Sequence, residues 1–583
     1  MLRRLIDSLF RRSAHLRASS EANEAGIRAW QSGNRLAAEG HFRSALAHRP
    51  AYAAACSNLG MVLVESGRLD EGHSLLIRAV ELDPMHVGAR INLANTLYID
   101  GRLDESLTHY RAARMSAPGS TDVMLNIVRP LMDACAWDEV EAFVRETIRV
   151  DSENPSRIGA GGLLPFVSQL LPLPGTLRRR IADEQAASLI RDWGAHRPGL
   201  QAAMSAPDKR RFRIGYLSRD FRNNAVGHLT ASMFGLHDRS RFEITAYSFG
   251  PDDGSEWRRR IQVGCEHFRD LRDADPISAA HCIADDGIDV LVDFGGHTGG
   301  SRPEILALRP APIQVNWLGY PGTVGAGLAD YVIADRIALP AELEPDYAEA
   351  IIRMPDCYQV NDHDQAIGAV PARRADAGLP ASGFVFCAFN QPFKIDREVF
   401  SAWMRILYQV RGSVLWLLGT SRTAEDALRR AAEAADVDPA RLVFAASLPK
   451  PAHLARHALA DLFLDTWTVN GGTTVSDALW SGLPVLVCPG DRFVTRVSAS
   501  LVTAAGLPGF VAADKSEYER LAVELAFSPG RLAAARAQLA GSRATAPLFD
   551  TPRFVRHLER AFETMIVNHR QGRGAENLDL APL

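Results

Sequence analysis

The segment LFLDTWTVNGGTTVSDALWSGLPVLV, residues 462 to 487, carries the groups that could most clearly bind a ligand. Its pattern predicts a strand, a Gly-Gly-Thr-Thr turn, a helix and a second strand. The first N–H groups of a helix lack partners within the helix and carry partial positive charge. A diphosphate could therefore bind at this helix start, with the Thr473 and Thr474 hydroxyls as further donors. Asp477 follows one turn later, and its carboxylate could accept hydrogen bonds from both hydroxyls of a ribose.

Taken alone, this turn is weak evidence, because Ser, Thr and Asp are common at helix starts without any ligand. The elements around it strengthen the case. From Arg213 onward, short apolar runs such as RIGYLS and DYVIAD alternate with helical patterns, and a second series follows Leu379. This alternation predicts two Rossmann-like lobes with parallel sheets and a ligand cleft at the C-terminal ends of the strands. We place the lobes at residues 207–378 and 379–545, and a C-terminal helix and tail at 546–583.

An internal repeat of 34 residues fills the first quarter of the chain. The positions that coincide at this shift are Gly33, Gly67 and Gly101, then Ala45, Ala79 and Ala113, then Pro50, Pro84 and Pro118. They match the tetratricopeptide pattern, in which the glycine ends the first helix of a unit and the proline follows the second helix. We expect three clear units and one degenerate unit over residues 19–154. A lead-in helix at 1–18 precedes them, and a connector at 155–206 follows.

Three asparagines recur with the same period, although packing does not require them. They are Asn58, Asn92 and Asn126, in the first helix of successive units. On the concave face they would form a ladder of amides. Because an amide offers both a donor and an acceptor, such a ladder can hold the backbone of an extended peptide. The alternative is a family consensus of solvated asparagines, and we favour acceptor binding.

The composition is that of an ordinary enzyme and not of a nucleic-acid or membrane binder. Of the 583 residues, 47% are hydrophobic and 23% are charged, and the formal net charge is −4. The seven cysteines are scattered and never spaced as CxxC, which favours reduced thiols in the cytoplasm and no zinc site. The arginine-rich N-terminus has no apolar stretch long enough for a signal peptide or a membrane span.

Neither a cofactor nor a metal is expected from the sequence. GxGxxG and P-loop patterns are absent, so nothing suggests NAD or ATP. Asp273 and Asp275 form a DxD sequence, which binds manganese in one large class of nucleotide-sugar transferases. They lie in the charged segment RDLRDADP before a predicted helix. Capping of that helix is the favoured interpretation of these residues.

Four motifs give the chain its resemblance to a known family. FNQPFKID, LPKPAHLAR, NGGTTVSDALW and LRPAPIQVNWLGYPGT resemble segments of the O-linked N-acetylglucosamine transferases and their Spindly-like relatives, glycosyltransferase family 41. The resemblance covers nearly the whole chain and includes the order of its parts. It implies an α-helical tetratricopeptide superhelix followed by an α/β GT-B fold of two Rossmann-like lobes. It also implies inverting, metal-independent transfer of a sugar, most simply N-acetylglucosamine, from a UDP-sugar to Ser or Thr hydroxyls of a protein.

The resemblance assigns roles to single residues. Gln391 and Lys394 match nucleotide and diphosphate contacts of the family. Lys394 is the foremost catalytic candidate, because a cation beside the leaving diphosphate would stabilise the charge that develops there. Lys450 and His453 match residues that meet the ribose and stack on the uracil. The matches to the wall of the sugar pocket are Leu318, Gly319 and Pro321.

The chain departs from the family at positions that bear on the mechanism. Asn224 and Gly472 stand where eukaryotic members carry histidines, a third family histidine in the connector has no counterpart, and Phe393 replaces a tyrosine. Asparagine cannot shuttle a proton near neutral pH, so a mechanism that needs a base at position 224 is in doubt. His297 could reach the cleft from a strand end, and we rank it as an orienting group and not as a base. We expect His228 to be structural.

Three functions stay open on the sequence alone. The first is protein O-glycosylation with UDP-N-acetylglucosamine as donor. The second is a peptide-binding scaffold whose transferase half binds nucleotide without turnover, an alternative that the missing histidines raise. The third is an active transferase with another donor, such as GDP-fucose, although Lys450 and His453 favour uracil over guanine. Neither a nucleic acid nor a membrane is expected as a partner.

Overall fold

The computed structural model describes residues 2–31, 34–118, 120–154, 163–199, 211–370 and 373–583. Gly33 of the predicted repeat lies outside the described residues, as do the parts 155–162 and 200–206 of the predicted connector. The chain divides into two compact units. The first consists of Met1–Phe143 and Ser421–Ala424, and the second of Val144–Thr420 and Glu425–Leu583.

The first unit is an array of α-helices that pack in pairs. Its helices are α1 (Leu2–Gln31), α2 (Arg35–His48), α3 (Ala53–Glu65), α4 (Leu69–Leu82), α5 (Val87–Ile99), α6 (Leu103–Ser116) and α7 (Thr121–Asp133), and α8 (Trp137–Glu153) begins in it. Phe42, Leu76 and Tyr110, which are 34 residues apart, are at most 1% exposed. A Cβ on Gly26 would lie 2.5 Å from the Phe42 ring, so glycine there lets paired helices approach closely. These features confirm the tetratricopeptide array.

Two details of this unit differ from the sequence-based expectation. Helix α1 runs unbroken from Leu2 to Gln31, so the lead-in helix does not end at residue 18. No proline occurs in that stretch to interrupt it. In the degenerate fourth unit, Cys135 adopts the left-handed backbone conformation with φ of 51°, where Gly67 and Gly101 have 81° and 77°. The turn geometry is therefore kept without the glycine.

The second unit starts with helices α9 (Pro165–Leu170) and α10 (Gly175–Trp193) and continues into a first α/β lobe. The strands of this lobe are β1 (Phe212–Ser218), β2 (Phe242–Ser248), β3 (His267–Asp270), β4 (Val290–Asp293), β5 (Ile313–Asn316), β6 (Tyr331–Asp335) and β7 (Ala350–Met354). Its helices are α11 (Ala225–Thr230), α12 (Glu256–Gly264), α13 (Pro276–Asp285) and α14 (Pro303–Ala307).

The second lobe holds a smaller sheet. Its strands are β8 (Val385–Ala388), β9 (Val414–Leu418), β10 (Leu442–Ala445), β11 (Leu462–Leu464) and β12 (Val485–Leu486). Its helices are α15 (Arg397–Gln409), α16 (Arg422–Ala434), α17 (Lys450–Arg456), α18 (Thr473–Trp480), α19 (Val497–Ala504), α20 (Lys515–Ala526) and α21 (Pro529–Ser542). The strand order is β10-β9-β8-β11-β12, and all pairs are parallel. The predicted second parallel sheet is confirmed.

The C-terminal segment belongs to the first lobe. Helix α22 (Thr551–Arg570) buries Phe554, Leu558 and Phe562 in the same core as strands β1, β4 and β5, and the Phe554 ring stacks on Trp317 at 5.6 Å. The last strand, β13 (Leu578–Asp579), pairs with β7 and completes the parallel order β13-β7-β6-β5-β4-β1-β2-β3. We expected a separate helix and tail at 546–583, but these residues complete the first lobe.

Polar contacts join the two lobes near their strand ends. The Ser500 hydroxyl on α19 donates to Asp335 at the end of β6 at 2.6 Å, and the Arg496 guanidinium donates to the Ile337 carbonyl at 2.7 Å. The end of strand β6 in the first lobe is therefore linked to helix α19 of the second lobe. Among the residues that the structure describes, no helix has both the length and the apolar character needed to cross a membrane.

Candidate nucleotide-sugar site

The start of helix α18 has an open first turn, as the sequence predicted. The first intrahelical bond runs from the Ser476 amide to the Gly472 carbonyl at 3.0 Å. The amides of Thr473 and Thr474 precede it and have no partner within the helix. A Cβ on Gly471 would lie 2.5 Å from the Thr474 hydroxyl, so only glycine fits there. Backbone N–H groups and the positive end of the helix dipole can thus meet an anion closely.

A buried carboxylate holds this turn in place. Asp465, which follows strand β11, accepts from the Gly471 amide at 3.0 Å, from the Asn390 amide at 2.8 Å and from the Ser498 hydroxyl. Burial raises the pKa of Asp465, and these hydrogen bonds oppose the rise. The Thr474 hydroxyl donates to Asn390 at 2.7 Å, so this threonine would reach a ligand through its backbone amide. Asp465 and Asn390 were not predicted from the sequence, because only the fold brings them together beside Gly471.

Lys394 lies against the same turn. It ends a short 3-10 helix, Pro392–Lys394, which Gln391 precedes as an exposed residue. The Lys394 ammonium donates to the Asn470 carbonyl at 2.8 Å, two residues before Gly472. Its positive charge also lowers the pKa of Asp465, against the larger effect of burial. The structure therefore brings Lys394 to the turn before α18, while the predicted role of Gln391 stays a prediction.

The predicted ribose and base contacts form a second group, with Lys450 and His453 on helix α17 and Asp477 on α18. The Lys450 ammonium donates to Asp477, and the His453 ring nitrogen lies 3.8 Å from the other oxygen of that carboxylate. Burial raises the pKa of Asp477, and Lys450 lowers it. Burial also lowers the pKa of His453 to about 2, and positive neighbours add to this, so the imidazole is neutral at pH 7. A neutral ring beside a fixed carboxylate suits stacking on a base next to a ribose.

The predicted sugar-pocket wall lies in the first lobe, just after strand β5. Leu318 has a φ of 82°, a left-handed conformation that is rare for a bulky side chain. At Gly319 a Cβ would collide with the Phe294 carbonyl, to which the Gly319 amide donates at 3.1 Å. Pro321 is half-buried in the same loop. Strain of this kind persists only where its surroundings enforce it, and it is concentrated at functional sites.

Asn224 and His297 occupy neighbouring strand ends, since β1 and β4 pair with each other. Asn224 caps helix α11 by accepting from the Val226 amide at 3.2 Å. His297 bonds the Val324 carbonyl at 2.8 Å through Nε2, and burial lowers its pKa to about 4. That nitrogen must carry the proton to donate to a carbonyl, and because the pKa is about 4 the ring is neutral at pH 7. The orienting role of His297 stays a prediction.

Burial shifts the pKa of two further titratable side chains of the first lobe. His228, expected to be structural, bonds Oδ1 of Asn223 through its ring Nε2 at 2.8 Å and packs 4.4 Å from the Trp257 ring. Burial lowers its pKa to about 3, and the positive charge of Lys450 in the other lobe lowers it further. Asp220 follows strand β1 and has its pKa raised by burial.

The asparagine ladder makes hydrogen bonds that were not expected. The Asn58 amide donates to Asn23 at 3.1 Å, and the Asn92 amide donates to Ser57 at 3.0 Å. Asn126 donates to the Asp122 carbonyl within its own helix at 2.7 Å. All three ladder residues are present, but Asn58 and Asn92 are half-buried and join neighbouring helices. The alternative of simply solvated asparagines does not describe Asn58 and Asn92, while acceptor binding stays a prediction.

The DxD sequence serves as a helix cap. Asp275 precedes helix α13 and accepts from the Ser278 amide at 2.9 Å and from the Ser278 hydroxyl at 2.7 Å. The capping interpretation is therefore confirmed. Across the described ranges, no group of three or more His, Cys, Asp or Glu side chains is arranged to hold a metal ion.

Comparison with known proteins gives matches along most of the chain. The sequence pattern described as glycosyl transferase family 41 matches residues 134–375 and 368–558, and a tetratricopeptide repeat pattern matches residues 23–71 and 57–121. A solved structure of a lysine-to-methionine mutant of the Thermobaculum terrenum O-GlcNAc transferase is similar in fold. It has a TM-score of 0.68 at 25% identity and covers 96% of this chain and 99% of its own.

Curated relatives carry related descriptions. A probable UDP-N-acetylglucosamine–peptide N-acetylglucosaminyltransferase SEC from Arabidopsis thaliana is 38% identical over 466 residues, which are 76% of this chain and 47% of that protein. A UDP-N-acetylglucosamine–peptide N-acetylglucosaminyltransferase from Caenorhabditis elegans is 29% identical over 75% of this chain and 48% of its own length. The chain thus spans about half the length of the curated relatives it matches.

Proposed function

Because the chain belongs to glycosyl transferase family 41, we propose that it transfers N-acetylglucosamine from UDP-N-acetylglucosamine to Ser or Thr hydroxyls of a protein acceptor. The observation that carries the proposal is the convergence of Lys394, the α18 helix start and the Lys450–Asp477 pair in one lobe. These groups suit a diphosphate and a ribose. The descriptions of the Arabidopsis thaliana and Caenorhabditis elegans relatives support the donor and the peptide acceptor.

In the proposed complex the nucleotide lies along helix α18. The uracil stacks on the neutral His453 ring, and the ribose hydroxyls donate to Asp477 beside Lys450. The diphosphate accepts from the first amides of α18, from Thr473 and from Lys394, with Gln391 beside it. A fixed cation and a helix start can together stabilise the leaving diphosphate, which is why we propose a reaction without a metal.

The proposed reaction is a single displacement with inversion. The acceptor hydroxyl oxygen forms a bond to C1 of the sugar while the bond from C1 to the β-phosphate oxygen breaks. The hydroxyl proton passes to an oxygen of the donor phosphate, because Asn224 caps a helix and cannot take it. Leu318, Gly319 and Pro321 would form the sugar wall, and His297 would orient its loop.

The repeats complete the proposal as the acceptor-binding part. Tetratricopeptide arrays present a concave surface built from the first helix of each unit. The oxygens of Asn58, Asn92 and Asn126 would accept from the acceptor backbone, since their amide groups donate within the array. We also propose a cytoplasmic location, because all seven cysteines are free thiols.

The test is a donor panel. The purified protein is incubated with UDP-N-acetylglucosamine, UDP-glucose or GDP-fucose, with and without cell lysate, and released nucleotide and protein-bound sugar are measured. We expect UDP release and protein-bound N-acetylglucosamine, unchanged by EDTA. Transfer from GDP-fucose alone would reassign the donor. Nucleotide binding without release or transfer from any donor would leave an inactive scaffold.

A further inference from the structure

Gln359 lies on the segment that leads from strand β7 toward the second lobe. It is 3% exposed, and its side-chain amide donates to the Ser476 hydroxyl of helix α18 at 2.8 Å. Ser476 sits in the second turn of that helix, directly after the open first turn. A residue from outside the second lobe therefore reaches the helix at which the diphosphate is proposed to bind.

The Gln359 side chain occupies the space beside the start of helix α18. Gly472 is the N-cap of α18 and has a φ of −90°, a value that any residue can adopt. A Cβ on Gly472 would point at the Gln359 carboxamide, with Oε1 at 3.3 Å and a Val497 methyl at 4.0 Å as the nearest described atoms. The carboxamide thus lies where a side chain at position 472 would extend.

The hydrogen bond between Gln359 and Ser476 allows the Gln359 carboxamide to turn its N–H groups toward an anion. A serine hydroxyl can donate as well as accept, so it can bond either end of the glutamine amide. When Ser476 donates to Oε1, the two N–H groups of Gln359 are free to turn toward the helix start. A hydrogen bond to a charged oxygen is stronger than one between neutral groups, which favours that orientation when a phosphate is bound.

We propose that Gln359 is a donor-binding residue that contacts the phosphate oxygens of the nucleotide sugar, in the place that a side chain at Gly472 would otherwise occupy. The inference rests on the proposed function, since it needs a diphosphate at the start of α18. In this proposal Gln359, from the segment that follows strand β7, supplies a polar side chain at the start of α18, where Gly472 has none.

The first experiment compares UDP with uridine. Calorimetry is performed on the full chain and on Gln359→Leu, which keeps similar volume and removes the amide. We expect Gln359→Leu to weaken UDP binding by about tenfold or more, because a hydrogen bond to a charged group is lost. Uridine binding should change less than about twofold, since the nucleoside contacts lie elsewhere. Gln365→Leu is the matched control, because Gln365 lies on the same segment and bonds the Asp362 carbonyl.

The second experiment is a double-mutant cycle. Gly472→His alone should weaken UDP binding, because the new ring meets the Gln359 carboxamide. Gly472→His combined with Gln359→Ala should bind UDP better than either single variant, since the imidazole then has the vacated space. Additive losses, or equal weakening of UDP and uridine by Gln359→Leu, would overturn the assignment. Failure of the unmodified chain to bind UDP would instead overturn the proposed function itself.

Discussion

The Lys394 ammonium lies against the turn before α18, where charge would develop as the donor bond breaks. We predict that Lys394→Met weakens UDP binding by about ten- to a hundredfold and lowers kcat by a larger factor, since the transition state carries more charge than the ground state. Calorimetry and single-turnover kinetics give the two values. Lys515→Met, which removes an exposed lysine paired with Glu398, is the control. Equal losses in binding and rate would contradict a catalytic role.

Asp293 makes the stability of the first lobe depend on pH. Its carboxylate is 3% exposed and accepts from the Gly296 amide at 2.6 Å, and burial raises its pKa to about 7. An unfolded aspartate titrates near pH ~4, so the fold favours the protonated form. Its stabilising contribution is therefore complete below pH ~4 and is lost as the pH rises to about 7.

The corresponding variant is Asp293→Asn. The backbone amides of Gly295 and Gly296 both donate to Asp293, and the asparagine keeps an acceptor for one of them. We predict that the free energy of unfolding of the unmodified chain falls relative to that of the variant by up to about 1.4 kcal/mol per pH unit between pH ~4 and ~7. Above this range the difference should be constant. Urea unfolding of both proteins at a series of pH values measures this difference in unfolding free energy. A difference that stays constant from pH ~4 to ~7 would contradict a raised pKa of Asp293.

At the scale of elements, Asn224 is the N-cap of helix α11, at a position where the resemblance places a histidine in eukaryotic members of the family. His86 caps α5 by accepting from the Ala89 amide at 3.1 Å, so histidine can fill such a position in this chain. We predict that Asn224→His folds and changes the transfer rate by less than about tenfold, or about 1.4 kcal/mol. A gain of a hundredfold in a steady-state assay would show that the chain is a decayed enzyme.

The asparagine ladder couples stability to acceptor binding, because Asn58 and Asn92 bond across helices. We predict that Asn58→Ala and Asn92→Ala each cost about 1 kcal/mol of unfolding free energy, while Asn126→Ala, the matched control within one helix, costs less. The triple variant should still hydrolyse the donor but modify protein acceptors poorly. Urea unfolding and the two activity assays separate these effects, and undiminished modification of all acceptors would rule out the ladder.

Elements with a strong local pattern were predictable from the sequence, and those fixed by distant contacts were not. Buried apolar runs such as Val290–Asp293 identified the central strands of both sheets. Strand β3 was missed because its residues, HFRD, are polar and mostly exposed. At the site, Lys394 and Asp477 stand in recognisable motifs. Asp465, in contrast, is a buried polar residue whose partners lie far away in sequence, so no local signal marked it.

At the scale of the whole molecule, the first lobe depends on a helix from the far end of the chain. Phe562 on α22 is fully buried in the core that β1, β4 and β5 line. We predict that Phe562→Ala costs about 3–5 kcal/mol of stability, as for other large buried side chains. Phe527→Ala, at a ring that is 68% exposed, is the control and should cost far less. Thermal unfolding with and without UDP measures both.

The return of α22 to the first lobe also sets an order of events during synthesis. A ribosome releases β1 hundreds of residues before it makes Phe554 and Ile566, which share a core with that strand. The second lobe, which lies between them in sequence, can therefore finish folding while the first lobe still exposes the apolar surface that α22 will cover. The nascent chain should need a chaperone during that interval, and its aggregation during translation should exceed that of a circular permutant that begins with α22.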